Sequence, residues 1–186
     1  MEVLEAIKSR RTVRQYDPTY TIPDDILQQL IDIALDSPTG CNYQGIDLLV
    51  VTDRAKIDEA TMITFNSWKE SDREGWNHRK EQYGVKNVIS CDAPAIFFFV
   101  KNENADNQFV QIDVGIMIGS LMHAARHFDY HTCCLGALLW GDKAGLEKCL
   151  GIPEGNLLMA LAIGKCSTPN PKVSDKTRKC KATILK

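Results

Sequence analysis

Three guanidinium groups and a hydroxyl fall within five positions, at Arg10, Arg11, Thr12 and Arg14. Arginine suits phosphates and carboxylates because its planar fork donates paired, charge-assisted hydrogen bonds. The cluster follows directly on Val3-Leu4-Glu5-Ala6-Ile7-Lys8, a short amphipathic pattern. The guanidiniums therefore crowd a helix C-terminus, where the macrodipole also favours cations. A solvated helix end is the plain alternative, and a local anionic ligand is the chemical one. A second segment, Ser37-Pro38-Thr39-Gly40-Cys41-Asn42-Tyr43-Gln44, closes the next helical pattern. Its Pro, Thr, Gly and Asn would also suit an ordinary helix-ending turn.

Other reactive residue types form weaker patterns. Cysteines stand at 41, 91, 133, 134, 149, 166 and 180, an odd number with no C-x-x-C spacing and mostly in apolar runs. That pattern predicts reduced core thiols in a cytosolic protein, not a disulfide framework or an iron–sulfur cluster. The neighbours Cys133 and Cys134 are poorly placed to bridge each other, since disulfide geometry is demanding. His123, His127 and His131 lie four apart, a spacing that can hold a metal on one helix face. No Glu follows the first His as in H-E-x-x-H, and His131 should lie beyond the helix, so no metal is expected. No Gly-rich dinucleotide fingerprint follows an expected strand.

The elements that must hold these residues are readable from periodicity. A helix is predicted over residues 2–8, then a basic turn. Thr21-Ile22-Pro23-Asp24-Asp25 reads as a helix start, with a capping hydroxyl, an early proline and two acids. Ile26, Leu27, Leu30, Ile31, Ala34 and Leu35 continue it at helical spacing until Ser37-Pro38. Strands are predicted over 46–52, 95–101 and 157–163, with a further one inside 132–140. Helices are predicted from about residue 53, over 108–128, and from Asp142. The unbroken apolar strand 95–101 implies a sheet covered on both faces. Helix 108–128 is apolar almost all round, which predicts burial on every side and, in a chain this small, a partner subunit. Gly115 and Gly119 would allow close backbone approach there.

Length and composition set outer bounds. The 186 residues suit one domain, 1–186, with 165–186 as a basic C-terminal arm. At 44% hydrophobic and 25% charged the chain can bury an ordinary core. A net charge of −2 gives no global reason to expect nucleic acid or an anionic membrane. No signal pattern opens the chain and the longest apolar run is too short to span a bilayer, so the expected location is cytoplasmic.

Taken together, Ser9-Arg10-Arg11-Thr12-Val13-Arg14-Gln15-Tyr16 and Ser37 to Gln44 resemble the nitroreductase family of FMN-dependent oxidoreductases. There an Arg-Arg-Ser/Thr-x-Arg/Lys-x-aromatic opening precedes a Pro-Ser-Ser/Gly-x-Asn-x-Gln loop. The same order continues through Ala93-Pro94, Asp113, Leu150-Gly151-Ile152-Pro153-Glu154-Gly155, the strand ending at Gly164, and Lys176-Thr177-Arg178. The resemblance implies an α+β fold, nitroreductase-like, with a central, mostly antiparallel sheet flanked by helices, in an interlocked homodimer with FMN at the interface. It implies an FMN phosphate held by Arg10, supported by Thr12 and completed by Arg178 and Lys176. It implies Arg14 near the flavin pyrimidine edge, with Arg11 along the ribityl or ring edge. Cys134, Leu135 and Gly136 would present backbone N–H groups to the flavin, and Pro38, Thr39, Gly40 and Asn42 would pack on it from the other protomer. Asn87, or else Asn66, would supply a flavin-edge amide. The implied reaction is ping-pong hydride transfer from NAD(P)H through flavin N5 to a nitroaromatic, quinone or enone. A flavin-processing enzyme of the same superfamily, or a flavin-binding storage protein, is the alternative. Cys41 and the absence of Pro-Trp after Gln44 depart from the family pattern. The aromatic stretch 66–87 falls where the family varies its substrate lid.

Overall fold

The computed structural model describes residues 1–174, 177 and 179–185. Lys176 and Arg178 lie outside the described residues, so the phosphate contacts expected of them find no description here. Helix α1 spans Val3–Ser9 and α2 spans Asp24–Leu35. Pro23, not Thr21, takes the N-cap position of α2, and Asp24 and Asp25 supply negative charge to its first turn. Strand β1 covers Ile46–Val51, α3 Arg54–Ser67 and α4 Glu70–Tyr83. Gly84 ends α4 in the left-handed region, φ 65°, the usual glycine stop. Strand β2 covers Ala95–Lys101, α5 Val110–His127, β3 His131–Cys134, α6 Lys143–Leu150 and β4 Leu157–Gly164. The strand expected inside 132–140 is only four residues long, because Gly136–Leu139 turns into a single stretch of 3-10 helix.

The sheet order is β1-β2-β4-β3 and every pair is antiparallel. This is the α+β architecture that the motifs implied. Period-2 alternation divides the apolar side chains of the central strands between two cores. Ile96, Phe98, Val100, Ala160 and Ala162 pack with α3 and α6 residues such as Ile57 and Leu146. Ala95, Phe97, Phe99, Leu161 and Ile163 pack with Leu30 of α2 and Leu121 of α5 on the other face. A sheet covered on both faces explains why β2 reads as an uninterrupted apolar run.

Within one chain α5 is not buried all round. Val114, Met117 and Leu121 face the core, but Ile112 is 59% and Ile116 37% exposed. A side chain added at Gly115 or Gly119 would meet nothing within 4 Å. The helix therefore shows an open apolar stripe, and Val3 and Leu4 of neighbouring α1 are exposed as well. No helix among the described residues is long and apolar enough to cross a membrane.

Candidate functional site

Residues 12–16 run from the edge of β3 to the segments that follow β4 and precede β2. Thr12 bridges Thr132 in parallel and Tyr16 bridges Cys166 antiparallel. The Val13 N–H donates to the Thr132 carbonyl at 3.3 Å, and the Tyr16 N–H to that of Cys91 at 3.1 Å. Val13 and Tyr16 point inward and are buried, and the Tyr16 hydroxyl donates to the Ala162 carbonyl at 3.4 Å. Arg14, between them, remains partly exposed and reaches a cavity of about 240 Å³.

That cavity gathers several of the expected residues. Arg14, Cys134, Leu135 and Gly136 line it together with Val88 and Ile89. The Leu135 N–H is spent on the Ala160 carbonyl at 2.9 Å. The Gly136 N–H, first in its 3-10 turn, has no acceptor among the described residues, and the space where a Cβ would stand is open. A helical first turn leaves such donors free for a ligand. Arg10 lies close enough to Cys134 to favour its thiolate, yet burial dominates and pushes that thiol up to about 11. Cys133 is shifted the other way, lowered by the neighbouring Cys91 thiol and by the Arg14 guanidinium against the cost of burial.

Other expected residues lie elsewhere. Arg11 turns its guanidinium back onto α1, donating to the Lys8 and Arg10 carbonyls at 2.8 Å each. It closes the helix end, where orphan carbonyls need donors, and does not line the cavity. Asn87 is 5% exposed and its amide is consumed locally. Its Nδ2 donates to Asp58 at 2.7 Å and Thr61 at 2.8 Å, while its Oδ1 accepts from the Ile89 and Ser90 N–H groups at 3.1 Å. The flavin-edge role read for Asn87 is therefore corrected: this amide staples the 87–90 turn to α3. Asn66 is exposed on α3 and does not line the cavity either.

Pro38, Thr39, Gly40 and Asn42 lead into β1, at the far edge of the sheet from β3, and do not reach the cavity of their own chain. Their loop is nevertheless well determined. The Gly40 N–H donates to Asp113 Oδ1 at 3.0 Å, and a Cβ on Gly40 would strike the Phe109 ring at 2.5 Å. The Gln44 N–H donates to Thr39 Oγ1 at 3.0 Å, and Gln44 Nε2 to Asn42 Oδ1 at 3.1 Å. Cys41, Asn42 and Gln44 all adopt positive φ, an unusual density of strained non-glycine backbone.

Two cavity residues, Arg79 and Trp140, were not singled out by sequence reasoning, whereas Trp76 falls in the aromatic stretch 66–87 read as a substrate lid. Arg79 of α4 lies 4.6 Å from the centroid of the Trp76 ring, and both line the cavity. Trp140 joins them and is 72% exposed. Trp68, Asp72, Trp76, Arg79 and Trp140 border a second cleft of about 490 Å³ next to the first. Trp76 carried a signal, as an aromatic in an otherwise polar helix. Arg79 carried none, because its direction depends on where α4 lies.

An antiparallel sheet with helices on both faces, bearing a cleft lined by arginines and apolar residues beside an edge strand, defines an α+β protein with a candidate ligand site. The Nitroreductase family profile matches residues 7–165, and the chain belongs to that family. The CLA biosynthesis enone reductase of Lactiplantibacillus plantarum is 26% identical over 191 residues, covering 89% of this chain and 86% of that protein. Protein DrgA of Synechocystis is 23% identical over 151 residues, covering 72% and 70%. Among solved structures, a nitroreductase with bound FMN from Bacteroides fragilis superposes with a TM-score of 0.80 at 22% identity, covering all of both chains. Iodotyrosine deiodinase, solved with FMN and 3-iodo-L-tyrosine, superposes with a TM-score of 0.71 at 18% identity, covering 99% and 100%.

Proposed function

We propose that the chain is an FMN-dependent oxidoreductase that takes electrons from NAD(P)H and passes them to an electron-poor acceptor. The observation that carries this reading is the cavity beside β3, which Arg14, Arg79 and Gly136 line among mostly apolar and aromatic residues. Family membership, and the FMN held by the Bacteroides fragilis neighbour, support the choice of cofactor. The donor set suits that group: apolar walls for a flat ring, the guanidiniums of Arg14 and Arg79, and a backbone donor at Gly136 for an acceptor edge. FMN, when bound, supplies two-electron hydride chemistry.

The chain's own residues account for the rest. Arg10 and Thr12 would hold the phosphate end, with Lys176 and Arg178 as the partners that the family pattern implies. Arg14 would favour a ligand that gains negative charge, and more strongly as water is excluded. The Gly136 N–H would fix an edge of the ring without adding side-chain chemistry. Trp76, Arg79 and Trp140 would border the space for the acceptor. Ligand pockets usually enclose roughly 300–1,000 Å³. The cavity of one chain, at about 240 Å³, falls short of that. We therefore assign the missing wall to a second copy, whose Pro38 to Asn42 loop would complete the site of a homodimer.

The test is direct. Protein equilibrated with FMN and freed of excess should show the visible bands of oxidised flavin. It should turn over repeatedly with NAD(P)H and an enone, quinone or nitroaromatic. A colourless protein that takes up no FMN overturns the proposal. Bound FMN without turnover would favour a storage protein, and loss of FMN itself a flavin-processing enzyme.

A further inference from the structure

The chain has three tryptophans, and all three border the second cleft. They arrive from separate places. Trp68 caps the end of α3, Trp76 lies within α4, and Trp140 follows the 3-10 turn after β3. Trp68 and Trp76 pack on each other with centroids 5.1 Å apart, and the Arg79 guanidinium lies over Trp76. Trp140 makes no ring–ring contact among the described residues and is 72% exposed. Its indole has a face free for a flat ligand.

The charged groups are ordered along the cleft. Asp72, Trp76 and Arg79 are spaced by four and three residues, which puts them on one face of α4. Trp76, Arg79 and Trp140 line both the cavity beside β3 and the second cleft, whereas Asp72 lines the second cleft only. A ligand long enough to fill both would pass Arg79 at the shared border and meet Asp72 beyond it. There is room for it: a Cβ added at Gly75 would meet nothing within 4 Å. The second cleft, at about 490 Å³, falls within the roughly 300–1,000 Å³ of ordinary ligand pockets.

We propose that the second cleft is an adenosine subsite for the nicotinamide donor, and that Asp72 makes it selective for NADH over NADPH. The inference rests on the oxidoreductase reading above, which puts the nicotinamide in the cavity beside β3. The donor is a long molecule with a flat ring at each end, joined through two riboses and a pyrophosphate. The adenine stacks on Trp140. The pyrophosphate crosses at Arg79, whose planar fork fits phosphate oxygens. The Asp72 carboxylate accepts from the adenosine ribose hydroxyls and repels a phosphate on the 2′ oxygen. An acidic residue makes the same distinction in dinucleotide-binding folds of other architecture. Stacking and a guanidinium require no Gly-rich loop. The donor leaves before the acceptor enters, so the two use the shared border in turn.

Because every tryptophan borders the cleft, tryptophan fluorescence reports on it without need of turnover. The protein, carrying whatever flavin it was purified with, is titrated with ADP-ribose and with 2′-phospho-ADP-ribose, which lack the nicotinamide and differ by one phosphate. ADP-ribose should change the emission saturably and bind about tenfold more tightly than its 2′-phosphate, the scale of one close like-charge contact near a surface. Trp140→Ala should weaken ADP-ribose about five- to 150-fold, the range of one base–aromatic stack. Asp72→Asn should bring the two ligands within about twofold of each other, since the repelling charge is gone. Both side chains are exposed, so neither change disturbs the core. Emission that does not respond to millimolar ADP-ribose overturns the subsite, even in protein that holds FMN. Binding that Trp140→Ala leaves unchanged places the nucleotide elsewhere and overturns it too, and equal affinities for the two ligands in the wild type overturn the role of Asp72. ADP-ribose binding in protein that takes up no FMN would instead overturn the flavin reading and leave the nucleotide subsite standing.

Discussion

Arg10, Arg11 and Arg14 share a charge but not a task, because the chain leaves a helix and becomes extended between them. Arg11 is still close enough to α1 to close its last carbonyls, while Arg14 lies in the extended segment and reaches the cavity. Replacing Arg14 by Ala should therefore weaken FMN binding about ten- to a hundredfold, the loss of one charge-assisted hydrogen bond of roughly 1.5–3 kcal/mol. Arg11→Ala should leave that affinity within about twofold and cost about 0.5–1.5 kcal/mol of stability, the net worth of a typical hydrogen bond. Fluorescence titration with FMN beside urea unfolding measures both, and equal affinity losses would dismiss the distinction. Cys134 titrates near 11, so its thiolate is scarce at neutral pH and grows as pH rises towards that value. Its alkylation by iodoacetamide should accelerate across pH 8–10 without levelling, which mass spectrometry of the peptide would follow. The arginines were legible because motif order places them. The fate of Asn87 was not, since a sequence shows an amide without showing whether Asp58, Thr61 and two backbone N–H groups have already claimed it.

Among the elements, strands β1, β2 and β4 were legible as apolar runs. β3 could only be placed somewhere within 132–140, because Leu135 to Leu139 is equally apolar but turns tightly. Which way α4 faces was not legible, since that depends on packing between residues far apart in sequence. With α4 in place, Arg79 borders both clefts, and a guanidinium there should favour anionic acceptors. Arg79→Gln should raise KM for a nitrobenzoate about ten- to a hundredfold, on the same energy scale as other charge-assisted bonds, and leave a neutral nitrobenzene within about twofold. Equal changes for both substrates would assign Arg79 to the packing of Trp76 alone. Helix α5 acts on the other loop. Asp113, an acid in an apolar helix, anchors Gly40. Asp113→Ala leaves the Gly40 N–H without that acceptor and should cost about 1–3 kcal/mol. Thermal unfolding reads the loss, and an unchanged midpoint would show that water replaces the carboxylate at no cost.

For the whole molecule, the open stripe on α5 is the feature that a single chain does not explain. Periodicity marked the helix as apolar almost all round, yet within one chain Ile112 and Ile116 lie exposed. Ile116→Glu would bring charge into an interface along that stripe. It should shift sedimentation towards the monomer and lower FMN affinity in step, since a site shared by two chains links cofactor binding to assembly. A monomer that still binds FMN as tightly as the wild type would place the whole site within one chain.

The segment 12–16 is synthesised well before the residues that receive it. Thr12 must wait for Thr132, and Tyr16 for Cys166. At about 5–20 residues per second, the basic cluster is exposed for roughly 8–30 s before its cavity can exist. Its guanidiniums spend that interval in water beside other anions of the cell, so cofactor capture must await the synthesis of residues 132–166. Cofactor supplied to a stalled nascent chain lacking β4 would find nothing to hold it.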